Sequence, residues 1–481
     1  MSSHRWLLAD QLGPHFLDDP DQPVLLVEAR DLFRRRPVHR QKAHLILSAL
    51  RHRAAELGDR AVLLRADTFR AALTRLGTAV EVCHPTTRAA LAFARSAGVR
   101  VLPPRGFVTG QAEFAAWADR GRRVRLRMTD FYRDARRRHG VLTEPAGNRP
   151  VRSMPRRDRP EAPPPPPIEE DEIDAGVRRD LDRWADEGVR FVGRDAPRRH
   201  PATHAEAQAR LEHFLRYRLA EYGRFGAVMS ADDPVLAHSV LSSSFNLGLL
   251  DPEPAVRRAE QEWRAGSVPR SAAEAFVRQL LGWREFLWQL YWYVEPRWRA
   301  DDWLPAAEPL PRWFADLDAD AVEARCLADV LAGVRDRAWA HHSQRLLVLN
   351  NYALQRGWSP TELAEWFRCS FVDGTGWAMN ATVLGLSHYA DLGRIETRPY
   401  AVDGTYVDEI SDYCGGCRYV PERAVGDTAC PYTGGFESFL HRNRERLVSD
   451  PRLAAELAGR DDPHRRESVL AQEEKRGDDP P

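Results

Sequence analysis

Three cysteines lie close together near the C-terminal end of the chain. Cys414 and Cys417 form a C-x2-C pair, and Cys430 follows after a further twelve residues. Cysteine thiolates bind both structural zinc and iron–sulfur clusters, and both kinds of centre accept four of them. The fourth ligand would come from one of the other cysteines: Cys83, Cys326 or Cys369. The spacing therefore predicts a metal site and leaves zinc and a [4Fe–4S] cluster open.

A pair of adjacent histidines, His341 and His342, offers a second kind of chemistry. An imidazole titrates near neutral pH and acts as a general acid when it lies within hydrogen-bond reach of the reacting group. A histidine pair on its own is more often structural, so its interpretation depends on the motifs around it.

A third chemical feature is the basic segment from Arg120 to His139. Nine arginines stand there against two acids, Asp130 and Asp134, with Phe131 and Tyr132 interleaved. A solvated helix face is the simpler interpretation, whereas clustered arginines with aromatics are also typical of a surface that binds a phosphate backbone. The arginines that would contact such a backbone are Arg127, Arg133, Arg137 and Arg138.

The first 105 residues alternate short apolar runs with segments of helical periodicity. The runs are 6–9, 24–27, 62–64, 80–82 and 99–102, and the helical segments between them are 41–57, 68–76 and 86–97. This alternation predicts an α/β domain with a parallel sheet covered by helices. No G-x-G-x-x-G sequence opens the first unit, so a Rossmann-like domain without the dinucleotide fingerprint is expected.

The rest of the chain is predicted to be organised differently. Pro163–Pro167 are five consecutive prolines, which favour an extended linker, and the pattern beyond Pro201 is almost wholly helical. We therefore predict an α/β domain at 1–140, a proline-rich linker at 141–200, a helical domain at 201–460 and a polar, frayed tail at 461–481.

The composition is that of a soluble protein. The 481 residues carry 70 basic and 70 acidic side chains, and no apolar run approaches the length of a membrane span. Lys42 and Lys475 are the two lysines among the basic residues. The N-terminus lacks the apolar region of a secretory signal, so a cytoplasmic protein with no membrane association is expected.

Several segments of the helical half together resemble the photolyase/cryptochrome family. His238–Ser242 and Phe245–Leu249 resemble the segment that cradles the FAD phosphates, and Gln279–Phe286 resembles the Q-L-x-W-R-E-F helix beside the flavin. Trp339–His342, followed by Arg345, is similar to the W-x-H-H stretch of (6-4) photolyases, where cyclobutane-dimer enzymes usually have asparagine at the second position.

The resemblance is closer to the iron–sulfur bacterial branch, the photolyase-related proteins. Its motifs recur in Ala9–Leu12, Arg40–Lys42, Ser48–His52, Arg127–Leu142 and Asp412–Pro431, so that the match spans roughly residues 5 to 450. It implies a Rossmann-like antenna domain followed by a large all-α domain that binds FAD. The implied activity is light-driven repair of (6-4) photoproducts in UV-damaged DNA by electron transfer from reduced FAD.

The resemblance also assigns residues to roles. His341 and His342 would protonate the lesion, Glu285 would accept hydrogen bonds from the damaged base, and Trp283 would pack against lesion or flavin. Trp366, with Trp377 as the alternative, would relay electrons to the flavin. The residues implied to hold FAD are Ser239, Leu241, Ser242, Asn246, Arg345, Asp373 and Asn380.

Two further cofactors follow from the branch. Its cluster is [4Fe–4S], and the first of its cysteines lies shortly before the histidine pair, which implies Cys326, Cys414, Cys417 and Cys430 as ligands. Its antenna is 6,7-dimethyl-8-ribityllumazine, whose binding positions match Asp10, Gln11 and Glu28. In one departure from the branch, Met379 stands where an acidic residue is usual, and Asn380 is the substitute hydrogen-bond partner of the flavin ring.

Two other functions remain open at this stage. A cryptochrome-like blue-light photoreceptor would use the same scaffold and cofactors without turnover. A light-independent iron–sulfur nucleic-acid binder, similar to the primase large subunit, would bind no flavin. A monomer is expected in each case.

Overall fold

A computed structural model describes residues 3–120, 126–144, 160–294, 306–387, 401–448, 451–460 and 462–481. Arg122, Arg123 and Arg125 of the basic segment lie outside these residues, as does part of the expected linker. The strands in the described residues are β1 (His4–Trp6), β2 (Val24–Ala29), β3 (Val38–His39), β4 (Ala61–Ala66), β5 (Val80–Cys83), β6 (Arg100–Leu102) and β7 (Phe191–Val192).

The N-terminal strands form the expected parallel sheet. Five strands pair in the order β4-β2-β1-β5-β6, and β2 pairs with β4 from Val24 opposite Ala61 to Ala29 opposite Ala66. All six residues of β2 are buried, as expected for a strand covered on both faces. The first strand lies earlier than the apolar run 6–9 predicted, because the chain leaves the ladder after the bond from the Leu7 N–H to the Leu25 carbonyl.

The described helices dominate the remainder of the chain and confirm the all-α second half. The α-helices are α1 (Asp31–Arg34), α2 (Arg40–Leu57), α3 (Phe69–Leu76), α4 (Arg88–Ser96), α5 (Gln111–Asp119), α6 (Met128–His139), α7 (Glu172–Asp186), α8 (His204–Tyr217), α9 (Leu219–Tyr222), α10 (Ser242–Asn246), α11 (Pro252–Arg264), α12 (Arg270–Val277), α13 (Glu285–Val294), α14 (Arg312–Ala315), α15 (Arg325–Arg337), α16 (Asn351–Arg356), α17 (Pro360–Ser370), α18 (Gly376–Met379), α19 (Gly404–Glu409), α20 (Pro431–Arg442), α21 (Arg444–Leu447), α22 (Pro451–Gly459) and α23 (Pro463–Arg476).

Three segments of the helical half are π-helical, and each joins an α-helix directly. They are Arg278–Arg284 before α13, Gln344–Asn350 before α16, and Asn380–Ser387 after α18. The wider π turn is uncommon and recurs at functional sites, because it shifts side chains out of the regular helical register. All three segments carry or adjoin residues that the sequence assigned to the flavin and lesion.

Part of the expected linker is folded structure. Residues 172–186 form α7, which packs on α2, and residues 191–192 form β7, which pairs with β3. Asp171 caps α7 with a capping box to Asp174, and the buried Asp174 carboxylate binds the Arg198 guanidinium at 3.0 Å. The proline-rich linker at 141–200 stays a prediction for the prolines themselves, and residues 172–186 and 191–192 are regular structure instead.

The C-terminal tail is docked rather than frayed. Helix α23 packs on α20, and Glu473 within it forms a buried ion pair with Arg356. The final residue, Pro481, is buried, and its carbonyl accepts the backbone N–H groups of Glu323 and Ala324 at 2.6 and 2.8 Å. Those two groups precede α15, so the tail satisfies donors at the start of that helix.

None of the described helices is both long and apolar enough to span a bilayer.

Candidate functional site

Asp373 is the centre of a buried polar cluster that several predicted flavin residues share. Arg345 binds its carboxylate through both terminal nitrogens, at 2.9 and 3.0 Å, and Ser242 donates its hydroxyl to the same carboxylate. The Asn246 side-chain amide donates to the Asp373 carbonyl at 2.8 Å. Burial opposes ionisation, but Arg345 and Ser242 hold the pKa of Asp373 below its ordinary value, so the carboxylate is charged at neutral pH.

The chain approaches this cluster through a strained segment. Leu236 and Val240 have positive φ angles of 46° and 52°, which are rare for branched residues and concentrate at functional sites. The segment leads into α10, with Leu241 buried and Ser239 half-buried. The structure thus brings Ser242, Asn246, Arg345 and Asp373 together. The roles of Ser239, Leu241 and Asn380 in binding FAD stay predictions.

Buried polar atoms near this cluster lack a partner among the described residues. They include Oδ1 and Nδ2 of Asn350, Oγ1 of Thr375, both ring nitrogens of His341 and Nε2 of His238. Buried polar atoms are nearly always hydrogen-bonded, so such a group indicates a site for a polar ligand. The segment ending at Asn350 packs against the π-helical segment that begins at Asn380. The atoms of Asn350 and Thr375 therefore fit FAD. The sequence motifs missed Asn350 and Thr375, for which the only hint was polarity within an apolar helix.

The predicted acid pair is part of a cluster of three imidazoles. The His238 and His341 rings stack with centroids 3.5 Å apart, and the His342 ring lies 4.0 Å from His341. His341 is buried, whereas His342 is exposed to solvent. The surrounding protein atoms and the nearby Arg345 charge lower the pKa of His342 to about 4, and burial lowers the pKa of His341 well below 6.5. An exposed ring that is nevertheless crowded by protein atoms lies on the wall of a recess open to water.

Glu285 has partners other than those expected. Both carboxylate oxygens accept backbone N–H groups, from Val108 at 3.0 Å and from Thr109 at 2.9 Å, and the residue is fully buried. Burial raises the pKa of this carboxyl to about 7. In this arrangement Glu285 braces the loop of the α/β half against α13. Its bond to a damaged base stays a prediction.

The two candidate tryptophans for electron relay differ in their surroundings. Trp366 lies 5.9 Å from the Phe371 ring, and Phe371 lies 4.2 Å from the Arg345 guanidinium. On its other side Trp366 contacts Phe314 at 4.5 Å, which leads to the half-buried Trp313. Trp377 is buried against Phe107, 5.7 Å away. Trp283 is half-buried against the main core.

The four predicted cluster cysteines come from three separate elements. Cys326 is in the first turn of α15, Cys414 and Cys417 flank a tight turn, and Cys430 is the N-cap of α20. Their thiols influence one another electrostatically. Cys83 and Cys369 lie elsewhere, near Arg5 and Glu365 respectively. The structure therefore groups the four cysteines that the resemblance implied.

The surroundings of these thiols fit a metal centre. Backbone N–H groups of Leu327, Tyr432 and Thr433 hydrogen-bond the sulfurs of Cys326 and Cys430, and such bonds favour thiolates. A Cβ on Gly404 would lie 2.6 Å from the Cys430 sulfur, so the backbone encloses the sulfur closely. In the protein without a metal, burial, Asp408 and the neighbouring cysteines raise the pKa of Cys414 to about 12.

The spacing of the sulfurs differs from that around one zinc ion. Tetrahedral zinc with bonds of about 2.3 Å sets its sulfurs about 3.8 Å apart. Among the described cysteines, no three sulfurs lie within 4.8 Å of one another. A cluster whose cysteines bind separate irons requires wider spacing.

The predicted antenna residues have contacts in two different places. Asp10 accepts a hydrogen bond from the Thr86 hydroxyl, and Gln11 donates to the carbonyl of Cys83, the last residue of β5, at 3.1 Å. Glu28 instead binds Arg51 through both oxygens, at 2.7 and 2.9 Å. A small apolar cavity of about 30 Å³ lies beside Glu28. That space is far below the several hundred Å³ typical of a ligand site, so these residues do not fit a lumazine as they stand.

The described part of the basic segment divides into two faces of α6. Phe131 and Tyr132 are buried in the core, so they are not available to stack on bases. Arg138 binds Asp134 and Glu113, and Arg136 binds Glu274 at 2.8 Å. Three arginines are exposed. Arg127 directly precedes α6, and Arg133 and Arg137 lie on the other face of the helix.

Comparison with known proteins relates this arrangement to one family. Residues 5–185 match the family model of deoxyribodipyrimidine photo-lyase-related proteins. The chain is 32% identical to a (6-4) photolyase of Agrobacterium fabrum, with 95% of each sequence covered. Its fold matches the crystal structure of a bacterial class III photolyase from Agrobacterium tumefaciens with a TM-score of 0.59 and 15% identity, over 99% of this chain and 98% of that one.

Proposed function

Because this chain belongs to the family of photolyases and photolyase-related proteins, we propose that it splits pyrimidine (6-4) photoproducts in UV-damaged DNA in a light-dependent reaction. The observation that carries the proposal is the placement of the His341–His342 pair directly before Arg345, which holds the buried Asp373. A pair of candidate acids in the same segment as Arg345, which belongs to the charged cluster around Asp373, suits DNA repair better than light sensing alone.

The residues around Asp373 would hold FAD, which when reduced and excited by light supplies the electron. The Asp373–Arg345 pair and Ser242 offer fixed charge and hydrogen-bonding groups within the buried cluster. Asn350 and Thr375 offer polar atoms that have no partner among the described residues. These groups are preorganised, because neighbouring segments of the helical half hold each of them in place.

His341 and His342 would supply the proton that a (6-4) lesion needs when its transferred oxygen returns. His342 is exposed in the recess, so it can reach a base turned out of the duplex, and His341 stacks behind it. Base flipping is the general route by which photolyases reach their target. Both rings are neutral in the free protein at pH 7, so bound phosphates must raise a pKa before either ring donates as a cation.

Trp366 is the better candidate for the electron relay. Its ring contacts Phe371 on the side of Arg345 and Phe314 on the side of the half-buried Trp313. Photoreduction requires oxidisable side chains between the flavin and the surface, and Trp366 and Trp313 are two such residues on this path. For Trp377 the described aromatic neighbours run through Phe107 and Trp288 to the half-buried Trp292, so Trp366 is preferred for its proximity to Phe371 and Arg345.

We propose a [4Fe–4S] cluster on Cys326, Cys414, Cys417 and Cys430. The grouping of the four thiols, their backbone N–H partners and their wide spacing support it. Such a cluster would tie α15 and α20 to the loop between them. The lumazine antenna also stays a proposal, and it requires the small cavity beside Glu28 to open.

The exposed arginines Arg127, Arg133 and Arg137 would neutralise DNA phosphates. Arg138 contributes less, because two carboxylates already surround it.

The test is a repair assay with the reduced, full-length protein. We expect a (6-4)-containing oligonucleotide to lose its lesion under blue light and to keep it in the dark. Retention of the lesion in the light, by protein that carries flavin, would favour the cryptochrome-like photoreceptor. A preparation with no flavin would favour the iron–sulfur nucleic-acid binder.

A further inference from the structure

Lys42 is a buried lysine in the first turn of α2, within the α/β half of the chain. Its ammonium donates three hydrogen bonds to backbone carbonyls of the helical half. The acceptors are the carbonyl oxygens of Arg368 at 2.6 Å, Phe371 at 3.0 Å and Gly374 at 2.6 Å. An ammonium has three donors, so this cage satisfies all of them.

The three carbonyls belong to the end of α17 and to the loop that carries Asp373. A positive charge at this point is favourable, because the last carbonyls of a helix carry the partial negative charge of its C-terminal end. Burial, with Arg368 nearby, lowers the pKa of Lys42 to about 8, so the side chain is still mostly charged at pH 7. Without the ammonium, each of the three buried carbonyls would lose a hydrogen-bond donor, which is unfavourable.

The loop held by Lys42 is tightly folded. A Cβ on Gly374 would lie 2.5 Å from the Phe367 carbonyl oxygen and 2.6 Å from that of Arg368, so a side chain there would open the turn. Phe371 at one end of the loop packs 4.2 Å from the Arg345 guanidinium, and Asp373 binds that guanidinium directly. A shift of the loop would therefore disturb the contacts of Arg345 with both Phe371 and Asp373.

Other residues of the same turn join the two halves without touching this loop. Gln41 donates its side-chain amide to the carbonyls of Arg194 and Asp336, both at 2.9 Å. His39 contacts the Arg335 carbonyl at 3.1 Å. Lys42 is thus distinguished from its neighbours by the segment it reaches.

We propose that Lys42 is a positioning residue for the flavin site, which acts across the domain boundary by holding the 368–374 loop so that Asp373 stays paired with Arg345. The inference rests on the proposed function, because it takes Asp373 as part of the flavin site. It predicts that the α/β half controls flavin binding even without an antenna chromophore.

The test compares Lys42→Met with Gln41→Met in the full-length protein. Methionine keeps the length and apolar stem of either side chain and removes its hydrogen bonds. Both variants lose contacts between the two halves, but only Lys42→Met releases the loop. We expect Lys42→Met to raise the Kd for FAD at least tenfold and to change the fine structure of the flavin absorption band. Gln41→Met should change the Kd less than twofold.

Equal effects of the two variants, or an unchanged Kd in Lys42→Met, would overturn the proposal. If Lys42→Met does not fold, Lys42→Arg replaces it, because arginine keeps the charge but cannot direct three donors at converging carbonyls. For that variant at least a threefold rise in Kd is expected, and an unchanged Kd would overturn the proposal.

Amide hydrogen exchange separates this inference from the proposed function. In protein without FAD, Lys42→Met should exchange faster than wild type within 371–377, and Gln41→Met should not. Unchanged exchange there would refute the role of Lys42. A wild-type protein that binds no FAD would instead refute the proposed function and leave the exchange result to decide on the loop.

Discussion

The imidazole rings of His238 and His341 lie face to face, with centroids 3.5 Å apart and planes at 19°. Burial lowers the pKa of each ring well below 6.5, and each ring sits close to the other, so a proton placed on either is unfavourable. His238 belongs to the segment predicted to cradle FAD phosphates, whereas His341 belongs to the proposed acid pair. The stack therefore joins these two proposed parts of the site.

Replacing His341 should abolish repair while leaving cofactor binding intact. We expect His341→Ala to lower the single-turnover repair rate by a factor of about 10² or more, the usual contribution of a general acid. FAD content and DNA affinity are the controls and should stay within twofold of wild type. Repair at the wild-type rate in both His341→Ala and His342→Ala would refute the assignment of the acid.

Buried histidines should make the protein less stable in acid. His39 is fully buried, its Nδ1 accepts the Gln41 backbone N–H, and its Nε2 contacts the Arg335 carbonyl, which fits one neutral form. Burial lowers its pKa from 6.5 to about 4. The stabilisation is thus complete above pH 6.5 and is lost as the pH falls from 6.5 towards 4.

The contribution of His39 can be measured by urea unfolding at pH 7.5 and pH 5.0. Between pH 6.5 and 5.0 one such histidine lowers the free energy of unfolding by about 2 kcal/mol. His39→Asn keeps a cap acceptor but does not titrate, so its loss of stability between the two pH values should be smaller by that amount. The same substitution at exposed His464 is the control. An identical pH dependence in His39→Asn and wild type would contradict the prediction.

The cysteines can be tested by metal analysis of single variants. Serine at Cys326, Cys414, Cys417 or Cys430 should remove iron and acid-labile sulfide and the visible absorbance of the cluster. Cys83→Ser and Cys369→Ser are matched controls, because both are buried thiols outside the group, and they should retain iron. Stoichiometric zinc in the wild-type protein would contradict the cluster.

The exposed arginines can be tested through the salt dependence of DNA binding. Glutamine at Arg127, Arg133 and Arg137 together should reduce the slope of log K against log salt by about 2.7 if each contacts one phosphate. Arg136→Gln is the control, since the Arg136 side chain is only 16% exposed and binds Glu274. An unchanged slope in the triple variant would place the DNA on another surface.

Periodic patterns predicted the architecture, because local hydrophobic spacing decides which segments are strands and which are helices. The sheet, its parallel pairing and α2 to α4 follow from that spacing. The sequence-based predictions failed where contacts between residues far apart in the sequence determine the structure. Helix α7 is held by the pair of Asp174 with Arg198, and the tail is held by Pro481 at the start of α15.

The candidate site was predictable where a motif specified side chains and unpredictable where partners mattered. The four cysteines and the Arg345–Asp373 pair came from motifs, and the structure groups them. The backbone partners of Glu285 and the buried positions of Phe131 and Tyr132 depend on packing that composition does not encode. Lys42 was a motif residue without a role until its three acceptors were known.

The proposed repair of (6-4) photoproducts is best tested by identifying the product of one illuminated turnover. Reduced wild-type protein is given two oligonucleotides in parallel, one with a (6-4) photoproduct and one with a cyclobutane dimer, and the bases are separated by chromatography after blue light. We expect two intact pyrimidines from the (6-4) substrate, with the dimer and the dark samples unchanged. Conversion of the cyclobutane dimer alone, or of neither substrate by protein with reduced FAD, would contradict the proposed (6-4) activity.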